Sequence, residues 1–158
     1  EYLGMMTQNL DYGGIDLYLE SYDWLIKVFY EVTADDSDVL LSELDDIDCP
    51  ADIYYSAAEM MEGDYPDTGF TYTNSVMRVT FIIMMYSSCA DDSETFDHEK
   101  GHAAYHIACE LGLDKAGEKI QYLQGEIGKE MFRVAKRFMC DHCRVNIVNY
   151  GKVKMKFY

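Results

Sequence analysis

Basic residues are scarce in this chain of 158 residues: 13 Lys and Arg stand against 29 Asp and Glu, for a formal charge of −16 at pH 7. Phosphate contacts need Lys and Arg, so nucleic acid and anionic membrane are disfavoured as main partners. Long apolar runs are also lacking. The longest strongly apolar one, from Phe81 to Tyr86, is too short to span a bilayer. The N-terminal stretch lacks the basic and apolar regions of a secretion signal. Five cysteines (Cys49, Cys89, Cys109, Cys140, Cys143) are odd in number and scattered, which does not read as a disulfide framework. Together these absences point to the cytoplasm. There is no phosphate-cradling glycine loop, no G-x-S-x-G nucleophile turn, and no internal repeat or low-complexity segment.

What the chain does have is a globular composition, half apolar and rich in tyrosine, in a length that suits one domain. The first twenty residues carry Gly4, Gly13 and Gly14 with little clear period and read as a loosely structured arm. Tyr22 to Val32 is aromatic and β-branched, which predicts a strand. Asp35, Asp36, Ser37 and Asp38 supply N-cap candidates for a helix through Leu40, Leu41 and Leu44. Pro50 then opens a second helix from Ala51 to Met61 that ends near Gly63.

Asp64 to Asn74 contains Pro66 and Gly69 and reads as a loop. Ser75 to Ser87 is the best strand in the chain, with Val76, Val79, Phe81, Ile82, Ile83, Met84 and Met85, and its largely continuous apolar character leads one to expect cover on both faces. The acidic run Ala90 to Glu94 leads into a helix that ends near Gly112. A longer helix follows, from Lys115 to about Cys140. Val145 to Tyr158 alternates around Tyr150-Gly151 like a terminal hairpin.

The helix before Gly112 carries one match to the pattern H-E-x-x-H: His98, Glu99, Lys100, Gly101, His102. Residues four apart share a helix face, so His98 and His102 can grip one metal ion, with Glu99 beside it to take a proton from bound water. At about 100° per residue the two histidines lie about 40° apart, with Tyr105 and Cys109 on the same side. Ala104, Ile107, Ala108 and Leu111 gather on nearly the opposite side and make an ordinary core face.

Two histidines leave a catalytic zinc one protein ligand short. His106 is one turn beyond His102, about 12 Å along the axis from His98, and reads as a partly buried histidine near the site. On the following helix the apolar stripe is Ile120, Leu123, Ile127, Met131, Val134 and Phe138. Glu118 falls nearly opposite that stripe, as a solvated carboxylate would. Glu126 lies on its flank between Gly125 and Gly128, which would let another backbone come close, and Glu130 sits one turn later as a supporting group. Glu126 is the favoured third ligand, with Glu118 the alternative. Cys140-Asp141-His142-Cys143 lacks a second cysteine pair at zinc-finger spacing and reads as two half-buried thiols at a helix end.

From Asp97 onward the chain resembles HExxH zinc metallopeptidases of the minimal zincin kind, and specifically the gluzincin layout, where a Glu on the helix after the motif helix is the third ligand. The wider stretch from Thr95 to Cys140 also resembles HExxH proteins of Bacteroides-type bacteria and their prophage-like elements. The longer metzincin pattern is absent, since no Gly and His follow His102 at its spacing. The resemblance implies an α+β, zincin-like domain: a small sheet packed on the motif helix and the long helix after it. It implies Zn2+ held by His98, His102 and Glu126, Glu99 as general base, and a peptide or protein substrate. Tyr105 and Tyr122 are candidate donors to an oxyanion. The strand from Ser75 to Ser87 would bind an extended peptide if it lay at a sheet edge. The competing expectation is a non-catalytic acidic protein of a mobile element that inhibits a basic nucleic-acid enzyme, with a structural or vestigial metal site.

Overall fold

The computed structural model describes residues 5–6, 14–63, 69–85 and 89–135. At its centre, strands β3 (Trp24–Val32) and β5 (Val79–Met85) run parallel. On one side β2 (Gly14–Leu19) pairs antiparallel with β3 along its whole length, and β1 (Met5–Met6) follows it. On the other, β4 (Gly69–Asn74) pairs antiparallel with β5 and is the last strand among the described residues, giving the order β1-β2-β3-β5-β4. Two helices, α1 (Ser37–Asp46) and α2 (Ala51–Met61), connect β3 to the β4–β5 hairpin. Two more, α3 (Cys89–Leu111) and α4 (Glu118–Ala135), follow β5. This is an α+β domain with a mixed sheet, as the sequence leads one to expect.

Strand periodicity sorts side chains to the two faces. Trp24, Ile26 and Val28 of β3 and Ile82 and Met84 of β5 pack with Ala103, Ala104, Ile107 and Ala108 of α3 and Ile120, Leu123, Ile127 and Met131 of α4. Phe29, Phe81 and Ile83 point the other way, onto Leu40 and Leu44 of α1 and Ala57, Met60 and Met61 of α2. Between Phe29 and Val32 the β3 register shifts, with Glu31 at φ 53°. The extra residue of this bulge turns Val32 onto the α1/α2 face while Tyr30 stays on the other, where its hydroxyl donates to the Met131 carbonyl at 2.8 Å. β5 is buried from Val79 to Met84, so the continuous apolar run does mark a strand covered on both faces.

Several boundaries differ from the sequence reading. Residues 14–19 are a paired strand, not part of a loose arm; Leu17 and Leu19 are buried, and the alternation Ile15-Asp16-Leu17-Tyr18-Leu19 was obscured by the glycines before it. The expected loop from Asp64 to Asn74 contains β4, and the expected strand from Ser75 opens with a turn at 75–78 before β5 begins. The Asn74 side-chain carbonyl accepts the Met77 N–H at 3.0 Å and closes that turn. The acidic residues 90–94 lie inside the first turns of α3, where the helix dipole favours negative charge. The expected terminal hairpin, and the thiols of Cys140 and Cys143, lie outside the described residues. Among those residues no helix is long and apolar enough to cross a membrane.

Candidate functional site on the motif helix

Helix α3 presents three sectors. Its core sector is made of small residues, with Ala103, Ala104, Ile107 and Ala108 all fully buried, so the helix axis sits close to the sheet. The opposite sector holds His98 and His102, both exposed, with ring centroids 4.5 Å apart and Nε2 atoms 2.9 Å apart. The third sector lies between these two and runs under β4. It carries Thr95, Glu99 and His106, and it faces the side chains of β4 that point away from α1 and α2.

β4 is built for that contact. Phe70 and Tyr72 pack into the α1/α2 core, while Gly69, Thr71 and Thr73 alternate onto α3. Thr71 donates its hydroxyl proton to Glu99 Oε2, and Glu99 is only 4% exposed. At Gly69 a Cβ would stand 2.6 Å from Glu99 Cγ and 2.8 Å from Thr95 Cγ2, so the strand comes down on the helix where only glycine fits. Two turns further along α3, His106 Nδ1 meets Thr73 Oγ1 at 2.9 Å. Thr73 in turn bonds Thr80 Oγ1 at 2.9 Å, and Trp24 Nε1 donates to Thr80 Oγ1 at 3.0 Å. Burial, with the neighbouring His102 adding to it, holds the His106 imidazole below the ordinary histidine pKa. His106 thus behaves as the partly buried histidine the sequence suggests.

The histidine pair fits two ligands of one ion. Nitrogens about 2.05 Å from a tetrahedral zinc stand about 3.3 Å apart, close to the 2.9 Å separation observed. The expected third ligand is not brought to them. Phe96 meets Phe132 edge-on at 6.5 Å, and Gly128 lies against the Lys100 side chain, so α4 runs antiparallel to α3. Glu126 is level with His102 along the axis but about 160° round α4 from Gly128, so it faces away from α3 and is exposed. Glu130 shares that flank. Glu118 is exposed and about 12 Å further down the helix from Glu126. Among the described residues no group of three His, Cys, Asp or Glu is placed to hold a metal ion.

No protein-family model, curated protein or solved structure matches the chain.

The remaining candidates sort by position. Tyr105 is exposed on the histidine side, with Lys115 Nζ 5.0 Å from its ring centre; Tyr122 is exposed on α4 and away from the pair. Cys109 is an exposed free thiol. The groove between α3 and α4, lined by Phe96, Lys100, Gln124, Gly125, Gly128 and Phe132, lies on the flank of α3 away from β4 and contains none of the motif's histidines. Sequence reading missed Gly69, Thr71, Thr73, Thr80 and Trp24. The signal available was the alternation Phe70-Thr71-Tyr72-Thr73, which is a half-polar edge strand by its period.

Proposed function

We propose that the chain is a zinc-dependent, peptidase-like hydrolase in which His98 and His102 hold the metal. The convergence of two exposed imidazole nitrogens to 2.9 Å, one turn apart on a helix that carries a buried carboxylate between them, is the observation that carries this reading. Zinc, when bound, lowers the pKa of its water and polarises a scissile carbonyl. Glu99 then serves as the proton carrier: Thr71 fixes Oε2, and the carboxylate accepts a proton and delivers it to the leaving amine. The peptide lies along β4, because among the described residues that strand ends the sheet beside the motif helix and an extended chain can add to it as a further strand. The strand considered for that role from the sequence, on condition that it lay at an edge, is central, as its apolar run suggests, and is paired on both sides as β5.

Zinc content of protein purified at neutral pH without chelators tests the reading. Stoichiometric zinc is expected in the wild type and in Glu99→Gln, and its loss in His98→Ala and His102→Ala. Hydrolysis of a peptide library should be present in the wild type and absent in Glu99→Gln. Wild-type protein free of zinc would sink the proposal. The −16 charge supports a second reading, an acidic protein that occupies a basic nucleic-acid enzyme. Capture of such an enzyme by the wild type and equally by His98→Ala would favour it.

A further inference from the structure

The hydroxyl chain that ends on His106 has a direction, because its buried end can only donate. The indole of Trp24 has an N–H and no acceptor, so Thr80 Oγ1 accepts from it. Among the described residues Thr80 has one other side-chain partner, Thr73. Thr80 is 0% exposed, and its own hydroxyl hydrogen therefore goes to Thr73 Oγ1. Thr73, now accepting from Thr80, has His106 Nδ1 as its one other side-chain partner among the described residues; giving its hydrogen there satisfies the Nδ1 lone pair, whereas an Nδ1–H would make the half-buried Thr73 accept twice and turn its own hydrogen to solvent. In the reverse arrangement His106 Nδ1–H would donate to Thr73 and Thr73 to Thr80. Thr80 would then accept twice and bury a hydrogen with nowhere to go, at the full desolvation cost of a buried donor.

We propose that His106 is a positioning residue fixed as the neutral Nε2–H tautomer, a hydrogen-bond donor beside the histidine pair and barred from joining it as a metal ligand. The bar follows from its lone pairs. Nδ1 spends its lone pair on the Thr73 hydroxyl and Nε2 carries the proton, so ligation would first require the Nε2 proton to leave or the Thr73 hydrogen bond to reverse. His102 and His106 are also one helical turn apart, and spacing alone would allow them to form the pair. Their ring centroids are 6.0 Å apart, against 4.5 Å for His98 and His102. The chain thus selects which two of three histidines are left to bind a cation. It also gives the site a neutral N–H suited to a carbonyl or oxyanion acceptor. The metal part of this inference rests on the zinc reading above; the tautomer does not.

Two-bond 1H–15N correlation spectra of labelled protein separate protonated from unprotonated ring nitrogens and decide the matter. The apoprotein at pH 7.5 should show His106 with Nε2–H and unprotonated Nδ1, the tautomer ratio exceeding about tenfold. Thr73→Val removes the donor and should bring the two tautomers to comparable populations, while Thr73→Ser restores the single one. Added Zn2+ should shift the nitrogens of His98 and His102 and leave the His106 Nε2 proton in place. An Nδ1–H tautomer in the wild type, an unchanged ratio in Thr73→Val, or loss of the Nε2 proton on adding Zn2+ would each overturn the proposal. Because the wild-type spectrum decides on its own, a Thr73→Val protein that fails to fold does not blunt the test. If Zn2+ shifts no histidine while His106 is the Nε2–H tautomer, the zinc reading fails and the directed chain is upheld.

Discussion

Gly69→Ala tests the close approach of β4 to the motif helix more directly than any change to the motif itself. The new methyl would lie 2.6 Å from Glu99 Cγ, 2.7 Å from Glu99 Oε1 and 2.8 Å from Thr95 Cγ2. Neither neighbour can swing out: Glu99 and Thr95 are 4% and 6% exposed, and Thr71 holds Glu99 Oε2. The strand must lift from the helix. Overpacking of this kind costs about 1–3 kcal/mol. At about 2–4 °C per kcal/mol for a domain of this size, the melting midpoint should fall by roughly 2–12 °C in a scan followed by circular dichroism.

Two other glycines calibrate the effect. At Gly128 the nearest atom to a Cβ is Lys100 Cδ at 2.8 Å, part of a flexible side chain that can shift, so Gly128→Ala should be close to neutral. At Gly101, inside the motif, nothing lies within 4 Å, and alanine should gain about 0.5–1 kcal/mol from helix propensity alone. Adding Glu99→Ala to Gly69→Ala removes two of the three close contacts and should make the cost of the alanine smaller than in the wild-type background. A Gly69→Ala protein that melts within a degree of wild type would refute the packing of Glu99 beneath β4.

Acid sensitivity and a second carboxylate give two further tests. His106 is held below its usual pKa mainly by burial, so the folded state keeps it neutral; the stability it contributes is complete above the ordinary histidine value of 6.5 and is lost as pH falls through 6.5 toward the lowered one. The fall in the urea midpoint between pH 7.5 and 5.5 should therefore be smaller in His106→Gln, and an equal fall would remove His106 from the account. On the other face, Glu43 of α1 reaches Lys27 at 3.8 Å, and Lys27 also pairs with Asp16 at 3.7 Å. Burial raises the Glu43 pKa, so its contribution is favourable below the ordinary carboxylate range and lost as pH rises through the raised value. Glu43→Gln should raise the melting midpoint at pH 7 and match wild type at pH 3.5; a variant less stable at pH 7 would show that the Lys27 pair outweighs burial.

The sequence made the apolar architecture legible because periodicity reports which residues face a core. The opposed faces of α3 and the stripe of α4 through Met131 follow from spacing of three and four, and the bounds of α2 from Pro50 before it and Gly63 after it. β4 was lost for a physical reason: its inner face touches polar groups of α3, so Thr71 and Thr73 stand where a core-facing strand would carry Val or Ile. A strand whose partner is a polar helix face looks like a loop to any reading keyed on hydrophobicity. The chemistry that fixes Glu99 and His106 was hidden with it.

Glu126 shows a different limit. Its distance from the centre of the α4 stripe was readable, since that needs one helix alone. Which flank meets α3 is a property of two helices and is decided by their packing. Yet the clue was in the same four residues. Gly128 does mark a close approach, that of the Lys100 side chain to α4, while nothing lies within 4 Å of a Cβ at Gly125. Gly128 is two residues from Glu126 and so about 160° round the axis, which turns a carboxylate at 126 away from whatever the glycine admits. The observation offered in favour of Glu126 as a ligand to His98 and His102 therefore argues against it once Gly128 is read as facing α3. A carboxylate placed by that logic at position 124, 125 or 128 would point to α3. Even there it would meet the flank of Phe96 and Lys100, with the body of α3 between it and the histidines.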